Sequence, residues 1–141
     1  MILSVMSNFE AAAYVPKKPA AMMRIFNTDP KIVYSDIADP SLYEHIFEYV
    51  FDETDPDFYG VEVLCTRFKD HVFFDEAIAD RIISDFKSLE GVEELVVHCN
   101  MGLNRSPAVA AAFDDRFSLG NDVKSRHPGY ARHVYELLVR I

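Results

Sequence analysis

The sequence predicts a single α/β domain in which a mostly parallel central sheet is flanked by helices. Short apolar stretches typical of buried strands alternate along the chain with longer segments whose apolar residues recur at helical spacing. Strands that alternate with helices favour parallel pairing through helical crossovers. The chain has 141 residues and is 50% hydrophobic. This length is enough to bury one core, so one domain is expected over residues 1–141.

The N-terminal part of the chain is predicted to begin with a strand at residues 2–6 and a short helix at residues 8–14. Prolines at positions 16 and 19 then break the chain. Further strands are predicted where apolar side chains run together or alternate, at residues 22–26, 32–34 and 61–66.

A helix is predicted to begin after Asp39, because Asp is a favoured N-cap and Pro40 suits the first helical position. The apolar residues that follow fall on one helical face: Leu42, Ile46, Phe47 and Val50. The acidic segment at residues 52–57 is predicted to be a loop.

The C-terminal half shows the clearest alternation of elements. A helix is predicted at residues 75–90, and Gly91 suits the left-handed position after its end. A wholly apolar strand follows at residues 95–97, as expected for a buried parallel strand. The last two predicted helices span residues 106–116 and 130–140.

Composition excludes several classes of function. The formal net charge of −9 disfavours a broad surface for nucleic acid or an anionic membrane. Two cysteines make no disulfide framework, which predicts a reduced, cytoplasmic setting. No signal peptide or membrane span is predicted. No metal or other cofactor is expected, because neither His127 nor His133 has a second ligand at metal spacing.

One segment concentrates reactive and anion-binding residue types between a predicted strand and a predicted helix. We call it the cysteine loop, and it reads His98-Cys99-Asn100-Met101-Gly102-Leu103-Asn104-Arg105-Ser106. Ligand sites in open α/β sheets lie at the carboxyl ends of strands. The N-terminus of a helix also attracts anions, because its free N–H groups and positive dipole end point outward. The position of the cysteine loop therefore predicts an anion site.

The residue types in this loop suit nucleophilic chemistry on a phosphate. A thiol such as that of Cys99, near an arginine and a helix N-terminus, is expected to be a thiolate at neutral pH. Arg105 can bind two phosphate oxygens with its planar guanidinium. Gly102 allows several backbone N–H groups to converge on one anion. Ser106 can donate a hydrogen bond to the sulfur, and His98 can hold the loop through its ring nitrogens.

This segment resembles the signature of the protein tyrosine phosphatase superfamily, which reads His-Cys, five residues, Arg, then Ser or Thr. The small size is most similar to the dual-specificity and the bacterial or phage phosphatase-like members. The strong match covers residues 95–113, and a weaker likeness extends from residue 61 to the C-terminus. Met101 and Asn104 depart from the residues common in small members, which affects the expected substrate and rate.

The resemblance implies a cysteine-dependent phosphatase with a cysteinyl-phosphate intermediate. It assigns Cys99 as nucleophile, Arg105 as phosphate-binding arginine and Ser106 as the hydroxyl that assists release of the thiolate. The backbone of residues 100–105, which comprise Asn100, Met101, Gly102, Leu103, Asn104 and Arg105, would surround the phosphate as a phosphate-binding loop (P-loop). The implied substrate is a phosphoprotein, with phosphotyrosine favoured, or a small phosphorylated molecule.

The family's reaction also needs an aspartate on an upstream loop as general acid, to protonate the leaving group. The spacing to the cysteine selects Asp70, in the segment after residues 61–66. Asp75 is the alternative, although it also suits the N-cap of the next predicted helix. Cys65 is predicted to be a small core residue, with a redox partnership to Cys99 as the alternative.

Two other functions remain open from the sequence. The first is a pseudophosphatase that binds phosphate and catalyses weakly. The second is another thiolate enzyme on a related loop, either a sulfurtransferase or an arsenate reductase. The five-residue gap and the serine after Arg105 favour phosphate transfer over sulfur transfer.

Overall fold

The computed structural model describes residues 1–141 and is built on a four-stranded sheet. Its strands are β1 (Ile2–Met6), β2 (Ala20–Phe26), β3 (Tyr43–Val50) and β4 (Glu94–His98). They lie in the order β1-β4-β2-β3, and every neighbouring pair is parallel. The predicted α/β class with a parallel sheet is therefore confirmed. β4 occupies an interior position, between β1 and β2.

Six α-helices connect or follow the strands. They are α1 (Asn8–Ala13), α2 (Val61–Thr66), α3 (Glu76–Lys87), α4 (Arg105–Arg116), α5 (Val123–Arg126) and α6 (Arg132–Arg140). Short 3₁₀ turns precede β3 and α2, at Pro40–Leu42 and Pro56–Phe58. No helix has both the length and the apolar character that a membrane crossing requires.

Residues near the helix ends explain where two of these helices begin. The Ser7 side chain accepts from the Glu10 backbone N–H while the Glu10 carboxylate accepts from the Ser7 N–H, a reciprocal cap on α1. The Asp75 carboxylate accepts from the Ile78 N–H at 2.9 Å and caps α3, as predicted.

The sheet is covered on both faces. The main core of 25 buried residues includes Leu95 and Val97 of β4, together with residues of α3, α4 and α6. Val96 points to the opposite face, where it belongs to a smaller cluster with Ala11 of α1. Neighbouring side chains of a strand alternate between faces, so an apolar strand covered on both sides is buried throughout. All five residues of β4 are buried.

Two element predictions are wrong in type. Residues 43–50 form β3 and not a helix. Asp39 caps only the 3₁₀ turn that precedes β3. Leu42 and Val50 therefore do not share a helical face. Residues 61–66 form α2 and not a strand, with Val61 76% exposed. Short apolar runs do not distinguish the two states by periodicity. Pairing with β2 makes the first a strand, whereas the second has no strand beside it.

Two smaller predictions also change. Residues 32–34 are not a strand and lie in the irregular connection between β2 and β3. Gly91 does have a left-handed backbone, with φ of +70°, but α3 ends earlier, at Lys87, with Ser88 as its C-cap.

Candidate active site

The cysteine loop lies where the predicted strand and helix place it, between the end of β4 and the start of α4. Because the sheet is parallel, the ends of β2 and β3 reach the same edge. The Asn100 carbonyl accepts from the Asn8 N–H at 3.0 Å, which ties the loop to the first turn of α1. The loop is therefore held by the β1–α1 junction beside it.

Gly102 makes this close approach possible. Its φ is +72°, a left-handed conformation that residues with side chains rarely adopt. A Cβ atom at this position would lie 2.7 Å from both the Met6 carbonyl carbon and the Ser7 nitrogen. Both the backbone conformation and the packing thus require glycine, as the turn predicted from the sequence suggested.

Cys99 is buried, with 2% of its surface exposed. Its sulfur lies 3.2 Å from the Ser106 Oγ. Burial by itself raises the pKa of the Cys99 thiol. The side-chain and backbone hydrogen bonds from Ser106, the charge of Arg105 and the Gly102 N–H oppose burial, and the net result is a lowered pKa. The contacts around the sulfur therefore stabilise its charged form more than burial destabilises it.

Arg105 is also buried, with 3% exposed. Its Nη1 donates to the Phe51 carbonyl at 2.9 Å and its Nη2 donates to the Asn27 Oδ1 at 2.8 Å. The Nε is buried and has no hydrogen-bond partner. Arg105 forms no ion pair with any carboxylate. A buried cation with an unused donor is suited to an anionic ligand.

His98 supports the loop from inside the sheet. The Arg24 Nε donates to the His98 Nε2 at 3.0 Å. Because Nε2 accepts this bond, the ring proton resides on Nδ1. Nδ1 lies 3.4 Å from the Cys99 carbonyl oxygen. Burial, and then the charge of Arg24, lowers the pKa of His98 to about 4. His98 is therefore a neutral imidazole at pH 7. Arg24 is anchored in turn by the Ser35 carbonyl at 2.9 Å.

The remaining residues of the loop differ in exposure. Met101 and Leu103 are 66% and 63% exposed and lie at the surface of the loop. Asn104 precedes α4 and donates to the Gly129 carbonyl at 3.2 Å, while its buried Oδ1 has no partner. Asn100 is half-buried. No side chain of residues 100–104 forms a hydrogen bond with Cys99 or Arg105.

A cleft of about 850 Å³ borders the loop at Asn104. Its walls come from the ends of β2 and β3, the acidic segment 52–57, and the start of α6. Its aromatic lining residues are Phe58, Tyr59, Phe68 and Tyr130, and its charged ones are Asp52, Glu53, Asp55, Asp57, Arg67, Arg132 and Glu136. The lining also includes His133, whose Nδ1 lies 4.0 Å from the Asp55 carboxylate.

Asp70 forms no hydrogen bond or ion pair with the cysteine loop. It is exposed and lies after α2, in a smaller cleft of about 240 Å³ that shares Arg67 and His71 with the larger cleft. The structure thus brings Cys99, Arg105, Ser106 and His98 together and leaves Asp70 apart.

Cys65 is an exposed residue of α2, so its predicted place in the core is wrong. It is a free thiol, as is Cys99. No group of three or more His, Cys, Asp or Glu side chains is arranged to hold a metal ion.

Sequence reasoning missed four residues that hold the site. They lie in β2, in the connection after β2 or directly after β3, far from the loop in sequence: Arg24, Asn27, Tyr34 and Phe51. Their residue types carry no spacing signal relative to Cys99. Only the strand order, which places β2 beside β4, indicates that they meet it.

A scan against protein-family models finds no match for this chain, and a search of curated proteins finds no relative. The likeness to tyrosine phosphatases therefore depends on the cysteine loop itself.

Gly102→Ala is expected to destabilise the protein more than Gly120→Ala, which is the matched control. Gly120 has φ of +73° but open space around it, so its substitution costs about 1–2 kcal/mol of left-handed strain alone. Overpacking against Met6 and Ser7 should add about 1–3 kcal/mol at Gly102. Urea unfolding measures both. Equal losses would contradict the packing argument.

Ser106→Ala is expected to raise the pKa of the Cys99 thiol, because it removes a hydrogen bond that favours the thiolate. At pH 6, below the ordinary thiol pKa, the thiolate fraction should fall and iodoacetamide should react about ten-fold more slowly. The measurement uses a Cys65→Ser background, because Cys65 is exposed. Ser125→Ala, an exposed change on α5, is the control. An unchanged pH profile would contradict this role for Ser106.

Proposed function

We propose that this chain is a cysteine-dependent phosphatase that hydrolyses a phosphate monoester, with phosphotyrosine in a protein as the favoured substrate. One observation carries the proposal: the Cys99 sulfur lies 3.2 Å from the Ser106 hydroxyl in a loop that also supplies a buried arginine with an unused donor. A buried thiol with these neighbours is a nucleophile beside an oxyanion site.

The reaction proposed for this geometry has two displacements at phosphorus. In the first, the Cys99 thiolate forms an S–P bond while the P–O bond to the alcohol or phenol breaks. Arg105 and the loop N–H groups hold the remaining phosphate oxygens. In the second, water forms a new P–O bond and the S–P bond breaks. The Ser106 hydroxyl then stabilises the departing thiolate.

A general acid completes the first step by giving a proton to the leaving oxygen, and it then accepts a proton from the attacking water. Asp70 remains the proposed acid on the family's spacing. This role requires the exposed segment around Asp70 to close over the cysteine loop. If Asp70 stays in the smaller cleft, the same site would act as a phosphate-binding module with weak catalysis, which is the second candidate function.

The cleft beside Asn104 supports a peptide or aryl substrate. Its aromatic side chains can pack against a phenyl leaving group. The lining of the cleft has five acidic side chains and two arginines, so its charge is negative overall. This charge disfavours substrates that carry several phosphates. The thiolate mechanism also requires Cys99 to stay reduced, which fits the cytoplasmic setting proposed from cysteine content.

Cys99→Ser is expected to abolish hydrolysis of p-nitrophenyl phosphate, with a fall of about 10³-fold or more in kcat, because the nucleophile is lost. Cys65→Ser is the matched control and should keep full activity. Acid-quench trapping should detect phosphocysteine only when Cys99 is present. Full activity in Cys99→Ser would refute the assignment of Cys99 as the nucleophile.

Two other outcomes would favour the alternative functions. Orthovanadate binding by an inactive wild-type protein would favour the phosphate-binding module. Sulfur trapped on Cys99 from thiosulfate would favour sulfur transfer.

Asp70→Asn is expected to slow hydrolysis of phenyl phosphate about 10²-fold or more, and to affect p-nitrophenyl phosphate little, because only the poorer leaving group needs a proton. Asp80→Asn, an exposed change on α3, is the control. Asp55→Asn tests an acid that lines the larger cleft. If Asp55→Asn shows the leaving-group dependence and Asp70→Asn does not, the assignment of Asp70 is wrong.

A further inference from the structure

The guanidinium of Arg105 is held by two groups from neighbouring strand ends. Phe51 follows β3 and presents its carbonyl to Nη1, and Asn27 follows β2 and presents its Oδ1 to Nη2. Both bonds are short, at 2.9 and 2.8 Å. They fix the orientation of the guanidinium through Nη1 and Nη2 and leave its Nε without a partner.

Asn27 is itself held in one orientation by Tyr34. The Tyr34 hydroxyl donates to the Asn27 Oδ1 at 2.5 Å, and the Asn27 backbone N–H donates to the Tyr34 oxygen at 3.2 Å. The Oδ1 thus accepts from two donors, Arg105 and Tyr34. Rotating the amide by half a turn would direct its NH₂ group at the same donors. The oxygen therefore faces Arg105 in the folded protein.

Neither acceptor is charged, which is unusual for a buried arginine, because buried charges are usually paired. The nearest acidic residue in sequence to either acceptor is Asp52, and its carboxylate accepts from Thr28 and Val72 instead. Cys99 and Tyr34 are titratable groups that interact with the charge of Arg105. No carboxylate pairs with Arg105, so its positive charge is not offset by an ion pair.

We propose that Asn27 is a positioning residue for Arg105. It orients the guanidinium through an uncharged acceptor, which leaves the Nε free for the phosphate and the positive charge without an ion pair. A carboxylate in its place would hold the arginine equally well but would compete with the phosphate for its charge. This role depends on the proposed function, because it supposes an oxyanion bound beside Arg105.

Asn27→Asp tests the role, because it preserves the shape of the side chain and changes only its charge and donor. We expect the KM for p-nitrophenyl phosphate to rise about ten- to a hundred-fold. The Kd for orthovanadate should rise by a similar factor. Alkylation of Cys99 at pH 6 should also slow, because an added negative charge disfavours the thiolate. Thermal unfolding confirms that the variant is folded.

Asn121→Asp is the matched control. Asn121 also holds backbone groups, accepting from the Leu3 N–H at 3.0 Å, but it makes no contact with Arg105. Tyr34→Phe removes the second donor to Asn27 and should raise the KM by a smaller factor, about three-fold. A merely structural role for Asn27 would change the unfolding temperature without changing the KM.

The outcomes separate this inference from the proposed function. If the wild-type protein hydrolyses the aryl phosphate while folded Asn27→Asp matches it in KM, anion affinity and thiol reactivity, the role of Asn27 is overturned and the phosphatase proposal stands. If the wild-type protein binds orthovanadate without turnover and folded Asn27→Asp binds it equally well, the role of Asn27 is overturned and the site is a phosphate-binding module. If the wild-type protein neither turns over the ester nor binds the anion, the proposed function is overturned and the role of Asn27 falls with it.

Discussion

The close packing of the cysteine loop on the β1–α1 junction is the constraint on which the candidate site depends. Gly102 lies so near the backbone of Met6 and Ser7 that no side chain fits, and the Asn100 carbonyl bonds the Asn8 N–H beside it. The cysteine loop connects the end of β4, an interior strand, directly to the start of α4, and these contacts hold the loop in place. Without this placement of the loop, the N–H groups that stabilise Cys99 would not converge on its sulfur.

Burial and charge oppose each other throughout this site. Burial favours the neutral forms of Cys99 and His98, and for His98 the adjacent Arg24 acts in the same direction, so the ring stays neutral. At Cys99 the hydrogen bonds and the charge of Arg105 outweigh burial, so the pKa of the thiol is lowered. The contacts of the two neighbouring residues thus act in different ways: those of His98 stabilise its neutral form, and those of Cys99 stabilise its charged form. A neutral His98 can hold the loop by hydrogen bonding.

How well the fold could be predicted depends on how each segment is stabilised. The wholly apolar run of β4 and the capped amphipathic helix α3 carry their own signals, and both were predicted within a few residues. β3 and α2 were exchanged in type because their patterns suit either state. Pairing with β2 makes residues 43–50 a strand. Residues 61–66 have no strand beside them, so their backbone forms local helical hydrogen bonds instead.

The cysteine loop could be found from the amino-acid sequence alone, because its thiol, arginine, glycine and serine lie within eight consecutive residues and chain connectivity keeps them close. The residues that orient this loop could not be found in the same way, because they are distant in sequence. Asn27 and Arg24 come from β2 and its end, and Phe51 comes from the end of β3. They reach the site because parallel strands end at one edge of the sheet and β2 lies beside β4. That adjacency arises from long-range strand pairing, for which local residue spacing carries no signal.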